Sequence, residues 1–350
     1  MTYQSFANEG YLLTEAERQV IEAEIIKQYS TAIDLINGKI AKLIQKARDV
    51  GIEPADQYNW VIQFNRLETL RADIVDTYKD IGGKITALQE EAFKLSFENQ
   101  FYRTSYALEW LEPVKFTVFD PNLARYAMTG ELEVWKKIAL RVGSIENYVP
   151  VSGTLTALIK AQEAAAIKSI YAQINAGLIS GESYRQIALR IENIIGTVYD
   201  GRVSGEMYKA LRIAHTEGHR AQNMAEIARA NIAESQGLIL QKMWDSTLDV
   251  NVRGAHAALD GVRIPLDGYW NMEGHKAAFP GDPTLPPSLS INCRCHSITV
   301  TENYVPEGRR GRNPITGENE VLSYKTYSQW AGEHNIKTNK YGRMYVQGPS

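Results

Sequence analysis

Residues 26–50, IKQYSTAIDLINGKIAKLIQKARDV, decide how the first third of the chain folds. Ile26, Tyr29, Ile33, Ile36, Ile40, Leu43, Ala47 and Val50 recur at alternating steps of three and four, which places one narrow apolar seam along a helix of about seven turns. Such a seam needs a partner helix. Thr14 followed by Glu17 reads as a capping-box start, and Gly51 with Pro54 as the stop, so both ends are signalled independently of the periodicity. The partner is close by. Leu67, Leu70, Ile74, Ile81, Ile85, Leu88, Ala92 and Leu95 repeat the spacing, interrupted at Gly82-Gly83, where a kink or break is expected. Residues 14–50 and 60–96 are thus expected to form a projecting antiparallel pair that buries Ile33, Ile36, Ile40, Ile74, Ile81 and Leu88.

Beyond this pair the texture changes. Tyr102, Tyr106, Trp110, Phe116, Phe119, Tyr126 and Trp135 are interleaved with Pro113, Pro121 and Pro150 without a sustained period, which reads as the core of a connector. Helical signals resume at Ser152. Leu158, Ile159, Ile167, Ile170 and Ile174 lie on one side of a helix closed by Gly177, a second helix opens at Ser180 or Ser183, and a third carries Leu211 to Ala228. After Lys242 the elements become short and are separated by Gly and Pro. Asp249, Arg253, His256 and Asp260 are spaced by four, three and four, so a helix over 249–260 would present all four on one face. VRIPL reads as a short strand, PGDPTLPPS as a stiff loop and SINCRCHSITV as a second strand.

The resulting fold class is mainly α: a long N-terminal antiparallel helical hairpin, a central helical domain and a small α+β C-terminal core with short strands. The expected divisions are 1–110 for the hairpin, 111–150 for the connector, 151–301 for helices followed by the α+β core, and 302–350 for a C-terminal tail that docks on something larger.

A net charge of −3 argues against a surface given over to nucleic acid, so any DNA contact must be local. The local candidate is Arg309, Arg310 and Arg312, read as a solvated basic loop that contacts DNA or an acidic protein surface. Cys293 and Cys295 are the two cysteines of the chain and sit too close for an ordinary disulfide, which fits a reducing compartment. The N-terminus has no basic cluster before an apolar stretch, and no uncharged apolar run reaches the ~18 residues of a membrane span. The expectation is a protein with no membrane partner that acts where it is made or in a particle assembled there.

Several elements in order then resemble one family. Trp244, Asp249, Arg253, His256, Asp260-Gly261, Pro280, Asp282-Pro283 and Ile291-Asn292-Cys293-Arg294-Cys295 look like the C-terminal core of the phage Mu F-like head morphogenesis proteins, also called minor head or minor capsid proteins. Upstream, GLISGESYRQIALRI and ALRIAHTEGHRAQNMA resemble the preceding helices, with a Gly-x-Ser turn leading to an Arg-Thr-Glu signature. Here His215 stands where Arg is usual, while Thr216 and Glu217 are in place. The similarity covers residues 175–300. It implies a virion component of a tailed bacteriophage, located in the head near the portal and assembled in the host cytoplasm. The implied partners are the portal protein, other head or neck proteins and packaged DNA, and the implied role is head morphogenesis with DNA packaging or delivery.

The residues themselves leave two chemistries open. In a strand, Cys293 and Cys295 would share one face with Cα atoms about 7 Å apart, and with His256 and Asp249 or His275 they could hold zinc, the one cofactor considered. The plainer reading is a metal-free polar core in which Asp249, Arg253, His256, Asp260, Asn292 and Arg294 form a structural cluster with the cysteines. Asn271 and His275 after His256 follow the His-Asn-His order of metal-dependent nucleases, though without the strand-helix context, so a nuclease-like enzyme carried in the virion is the alternative function. No catalytic residue is assigned. Glu217, His219 and Arg220 read as polar helix packing.

Overall fold

The computed structural model describes residues 3–53, 56–62, 66–111, 123–125, 154–200, 202–302, 304, 306–339 and 343–347. Helix α1 spans Tyr3–Asp49, a short α2 spans Gln57–Ile62, and α3 spans Arg66–Leu111. The first helix therefore starts well before Thr14, and the Thr14-Glu17 pair lies inside it rather than capping it. Its end is where the glycine signal puts it. Gly51 takes φ +77°, Gly51 N–H donates to the Arg48 carbonyl and Ile52 N–H to the Ala47 carbonyl, the paired bonds of a Schellman ending. Of the kink or break expected at Gly82-Gly83, α3 shows no break, and it extends past residue 96 to Leu111.

The two long helices are antiparallel. Tyr29 meets Tyr78 edge-on at 6.5 Å between ring centroids, while further along α1 Lys39 Nζ lies 3.8 Å from Asp73 Oδ2. The seam differs from the expected one. On α1 the buried positions are Ile21, Ile25, Tyr29, Ala32, Ile36, Ile40, Ile44 and Ala47, and on α3 they include Leu70, Ile74, Tyr78, Ile81, Ile85 and Ala92. Steps of four outnumber steps of three. That is the face of a nearly straight helix in a bundle rather than a two-stranded coiled-coil seam, so Ile33, Leu43 and Leu88 come to be half-buried and Val50 is 62% exposed.

By packing, the described chain divides into two units. One comprises Glu17–Ala92 and the described part of 153–214, and the other the remaining described residues. In the first, α4 (Thr154–Ile179) and α5 (Tyr184–Ile195) join the long helices. The hairpin is thus not a free-standing projection: Gln162 of α4 donates to the Tyr29 hydroxyl at 3.4 Å, and Asn37 of α1 to Glu192 of α5 at 3.4 Å. A two-strand hairpin, β1 (Val198–Tyr199) and β2 (Arg202–Val203), then leads into α6 (Gly205–Ser235). At its base Gly196 has φ +123° and Gly205 φ +63°, and they sit so close that a Cβ on Gly205 would lie 2.7 Å from the Gly196 backbone.

The second unit is built around α6. Every residue from Thr216 to Asn231 is buried. Its small residues Ala221, Ala225 and Ala228 share a core with Phe93, Phe97 and Phe101 of α3, large side chains from one helix meeting small ones from the other. Beside it stands a three-stranded antiparallel sheet in the order β4 (Arg263–Pro265), β3 (Gln241–Asp245), β7 (His296–Val300). Around the sheet lie α7 (Gly254–Leu259), the hairpin of β5 (Trp270–Met272) and β6 (His275–Ala277), and α8 (Pro287–Ser290). The hairpin of β8 (Gly308–Arg312) and β9 (Asn319–Ser323), α9 (Tyr327–Glu333), and the hairpin of β10 (Ile336–Thr338) and β11 (Met344–Val346) follow.

Three expectations change here. The helix over 249–260 shrinks to α7, leaving Asp249 and Arg253 in the preceding loop. The strand SINCRCHSITV is a strand only from His296, because α8 occupies its start and Asn292 has φ +55°. The expected C-terminal tail, where it is described, packs on this unit's own core: Tyr327 and Trp330 share a core with Trp244 and Trp270. In the connector region, Tyr102 and Tyr106 belong to α3 and are exposed, Leu123 and Ala124 are buried and Arg125 is exposed, and the remainder of 112–153 falls outside the described residues.

Two glycine substitutions test the first unit. Gly205→Ala should destabilise the chain by at least about 1–3 kcal/mol, since it needs both a left-handed residue and a close backbone approach. Gly83→Ala, with nothing within 4 Å of the added carbon, should raise stability by up to about 1 kcal/mol. Urea unfolding of both variants reads the contrast, and similar midpoints would contradict this packing.

Candidate functional site

The sequence places a polar row, His219, Asn223 and Glu226, at i, i+4 and i+7 on α6, and the row faces the outer edge of β7. His219 Nε2 lies 2.6 Å from the Cys295 carbonyl oxygen, to which Asn223 Nδ2 also donates at 3.3 Å. Asn223 Oδ1 accepts from Ser297 N–H at 2.7 Å and Glu226 Oε1 from Thr299 N–H at 2.8 Å. The second oxygen of Glu226 accepts from Gln100 at 2.8 Å and from the Thr104 hydroxyl. The helix thus supplies the hydrogen bonds that a neighbouring strand would otherwise make.

The family-like signature on the same helix holds loops. Thr216 Oγ1 accepts from Asn292 N–H at 3.2 Å. Arg220 clasps Glu217 at 2.7 Å and donates to the Gly281 carbonyl at 2.9 Å. Burial pushes the Glu217 carboxyl above its usual range, against the pull of Arg220. In the Pro-rich loop Asp282 accepts from Ala278 N–H and Thr284 N–H, both at 2.8 Å. Buried Lys242 donates to the Ala278 carbonyl at 2.9 Å, and burial pulls its ammonium down to about 8 despite Asp282 and Asp267.

Against this frame three side chains converge. His256 on α7 has its Nδ1 3.4 Å from Cys295 Sγ and 3.5 Å from Cys293 Sγ. The three are 1%, 1% and 4% exposed respectively. Although NCRC is not a regular strand, burial alternates along it: Cys293 and Cys295 are buried while Asn292 and Arg294 are exposed. The imidazole meets the Trp244 ring edge-on at 5.6 Å, and its Nε2 is buried without a hydrogen-bond partner. A hydrogen bond with Cys295 holds the Cys293 thiol below its usual range against burial, while burial drives Cys295 well above it. The group can act as a set of soft donors or as a thiol–imidazole hydrogen-bond cluster.

The other candidate residues are sorted differently from the expected single face. Asp249 does not pair with Arg253. It forms a two-pronged ion pair with Arg294, with Nη2 to Oδ1 at 2.9 Å, while Arg253 donates to the Ile291 carbonyl. Asp260 belongs to a neighbouring ion pair with Arg309, 2.8 Å away, which also meets Asp245 at 2.6 Å. Burial raises Asp245 to about 6, with Arg309 opposing and Asp260 adding to the shift. Arg309 is therefore no part of a solvated loop: it is 6% exposed, sits in a strand and points inward, because two carboxylates compensate its charge there. Arg310 is half-buried, and Arg312 is exposed with its Nε on the Gly317 carbonyl. Asn271 and His275 are exposed in strands β5 and β6, whereas His256 is buried, so the His-Asn-His order does not gather into one site. Sequence reading took His219 for polar helix packing but missed the row it forms with Asn223 and Glu226. Its spacing was a usable signal, but polar residues at helical period resemble a solvated face.

Asn223→Ala and Glu226→Ala should each cost about 1–3 kcal/mol, because each leaves a buried strand N–H without an acceptor. Chemical denaturation together with amide exchange at Ser297 and Thr299 checks this, and unchanged protection at both amides would contradict it.

Residues 168–298 match the family model described as Phage Mu protein F like protein. The chain is 27% identical over 331 residues to minor head protein GP7 of Bacillus phage SPP1, an alignment covering 91% of this chain and 92% of that protein. It is also 30% identical over 164 residues to NAD(+)--arginine ADP-ribosyltransferase EFV of Enterococcus faecalis (strain ATCC 700802 / V583), covering 47% of this chain but 31% of that protein. No solved structure matches. Residues 168–298 thus resemble the phage Mu F-like family, and the chain as a whole is similar along most of its length to a phage minor head protein.

Proposed function

We propose that the chain is a minor head protein of a tailed bacteriophage, a structural component of the virion that associates with the portal and supports head morphogenesis and DNA packaging or delivery. The observation that carries this reading is the alignment with a minor head protein along nine-tenths of both chains. The site geometry is compatible with a structural part. Asp249, Asp260 and Glu217 are each engaged by an arginine, and His256 and both cysteines face inward. The partners are the portal protein and other head or neck proteins. Among the described residues no helix is long and apolar enough to cross a membrane. The transferase relative shares under a third of its length, so its activity is not carried over.

Purified heads from the phage encoding this chain should contain it in a few copies and yield it together with the portal protein on mild disruption. Heads assembled without it should package or deliver DNA less well. Its absence from both immature and mature heads would overturn the assignment.

A DNA or portal contact through the basic strand now rests on Arg310 and Arg312. Replacing both with Gln should weaken that association and lower its logarithmic salt slope by about one to two, roughly 0.9 per phosphate neutralised. An identical slope in the double variant would remove this contact.

A further inference from the structure

We propose that Cys293 Sγ, Cys295 Sγ and His256 Nδ1 bind one thiophilic divalent ion of the zinc class, which ties the NCRC segment to α7. Among the described residues, His256, Cys293 and Cys295 are the group whose potential ligand atoms all lie within 4.8 Å of one another. Zinc–sulfur and zinc–nitrogen bonds of about 2.3 and 2.0 Å at a tetrahedral angle set nitrogen and sulfur about 3.5 Å apart. The two separations here are 3.4 and 3.5 Å. Their near equality is informative. A single proton on Nδ1 can be given to one sulfur, whereas an ion between the three atoms uses the imidazole and both thiolates at once.

The other ligands suggested by sequence are otherwise engaged. Asp249 is held by Arg294 and His275 is exposed at the start of β6; the neighbouring His296 ring, for its part, lies against His219 at 4.6 Å between centroids. Charge balance is compatible with the ion. A dication with two thiolates is neutral, and Asp249 with Arg294 is neutral beside it, so the filled site buries no net charge. The cradle is held in place by contacts outside it. Thr216 and His219 fix the backbone of Asn292 and Cys295, and the Ser246 hydroxyl donates to the His256 carbonyl at 2.8 Å. Three protein ligands leave a fourth tetrahedral position for a water that the ion brings with it.

The proposal is independent of the assembly role and can fail without affecting it. The test uses the full chain, purified under reducing conditions, stripped with a chelator and titrated with zinc or cobalt. Near-stoichiometric uptake, a thiolate-to-cobalt charge-transfer band and a higher melting temperature on adding back zinc are expected. Cys293→Ser, Cys295→Ser and His256→Gln should each lower affinity by more than the roughly ten- to hundredfold that outer-shell changes cost, while His275→Gln should leave it unchanged. If the ligand variants do not fold, the cobalt spectrum of the unmodified chain decides. Lack of the thiolate band, uptake that survives loss of all three ligands, or a Cys293–Cys295 disulfide in the folded protein would each overturn the proposal.

Discussion

The C-terminal unit depends on one constraint: strand β7 has a partner strand on one side and a helix on the other. A strand edge carries N–H and C=O groups that must be satisfied when buried. Here His219, Asn223 and Glu226 satisfy them from α6, with Asn223 acting as donor to one residue and acceptor from another. Because this helix is buried all round over Thr216–Asn231, none of these polar side chains has water as an alternative. The fit fixes the register of helix against strand. It also fixes the position of the Cys295 carbonyl, and with it the two thiols that flank Arg294.

The same logic runs through the charged residues. Arg309 lies between Asp260 and Asp245, and Arg220 between Glu217 and the Gly281 carbonyl. Asp260 further accepts from Ser246 N–H at 2.7 Å and from Tyr327 N–H at 2.6 Å. One carboxylate therefore joins the loop after β3, the basic strand and α9. Breaking such a group leaves an uncompensated buried charge, a larger effect than the net worth of the pair itself. The described residues from 306 to 339 are held to the core by these ions and by Tyr327 and Trp330, which share its apolar cluster. A unit closed in this way gives a stiff block, which suits a component that must keep its shape inside an assembled particle.

Long helices and a stiff block offer different surfaces. In the first unit the buried faces of α1 and α3 hold residues such as Ile36, Ile40, Ile74 and Ile81, while the outer faces carry charged pairs such as Lys84–Asp80 and Lys27–Glu24 beside exposed Val20 and Leu35. Exposed pairs of that kind add little stability, and their effect is to keep the bundle hydrated. The Mu F-like match begins within α4 and ends within β7. It therefore takes in the whole of α6, the NCRC segment and both sides of the helix–strand contact.

The sequence by itself determined the elements whose signals are local. The antiparallel pairing of α1 and α3, the stop at Gly51, the short strand at Arg263–Pro265 and the family-like segment were all legible, because periodicity, a left-handed glycine and motif order are properties of neighbouring residues. Tertiary structure decided the rest. Ile33 and Leu88 lost their place in the seam because α4 and α5 join the hairpin and the buried face follows the bundle instead. Asp249 and Arg253 have helical spacing, yet the helix begins only at Gly254, so Asp249 turns to Arg294 from a distant segment. Arg309 could be read as surface from its neighbours, since the two carboxylates that draw it inward lie about fifty residues or more away in the chain. Polar residues spaced along a helix look the same whether they meet water or a strand edge, and only the fold says which, because burial is set by what packs against the helix and not by the residues on it.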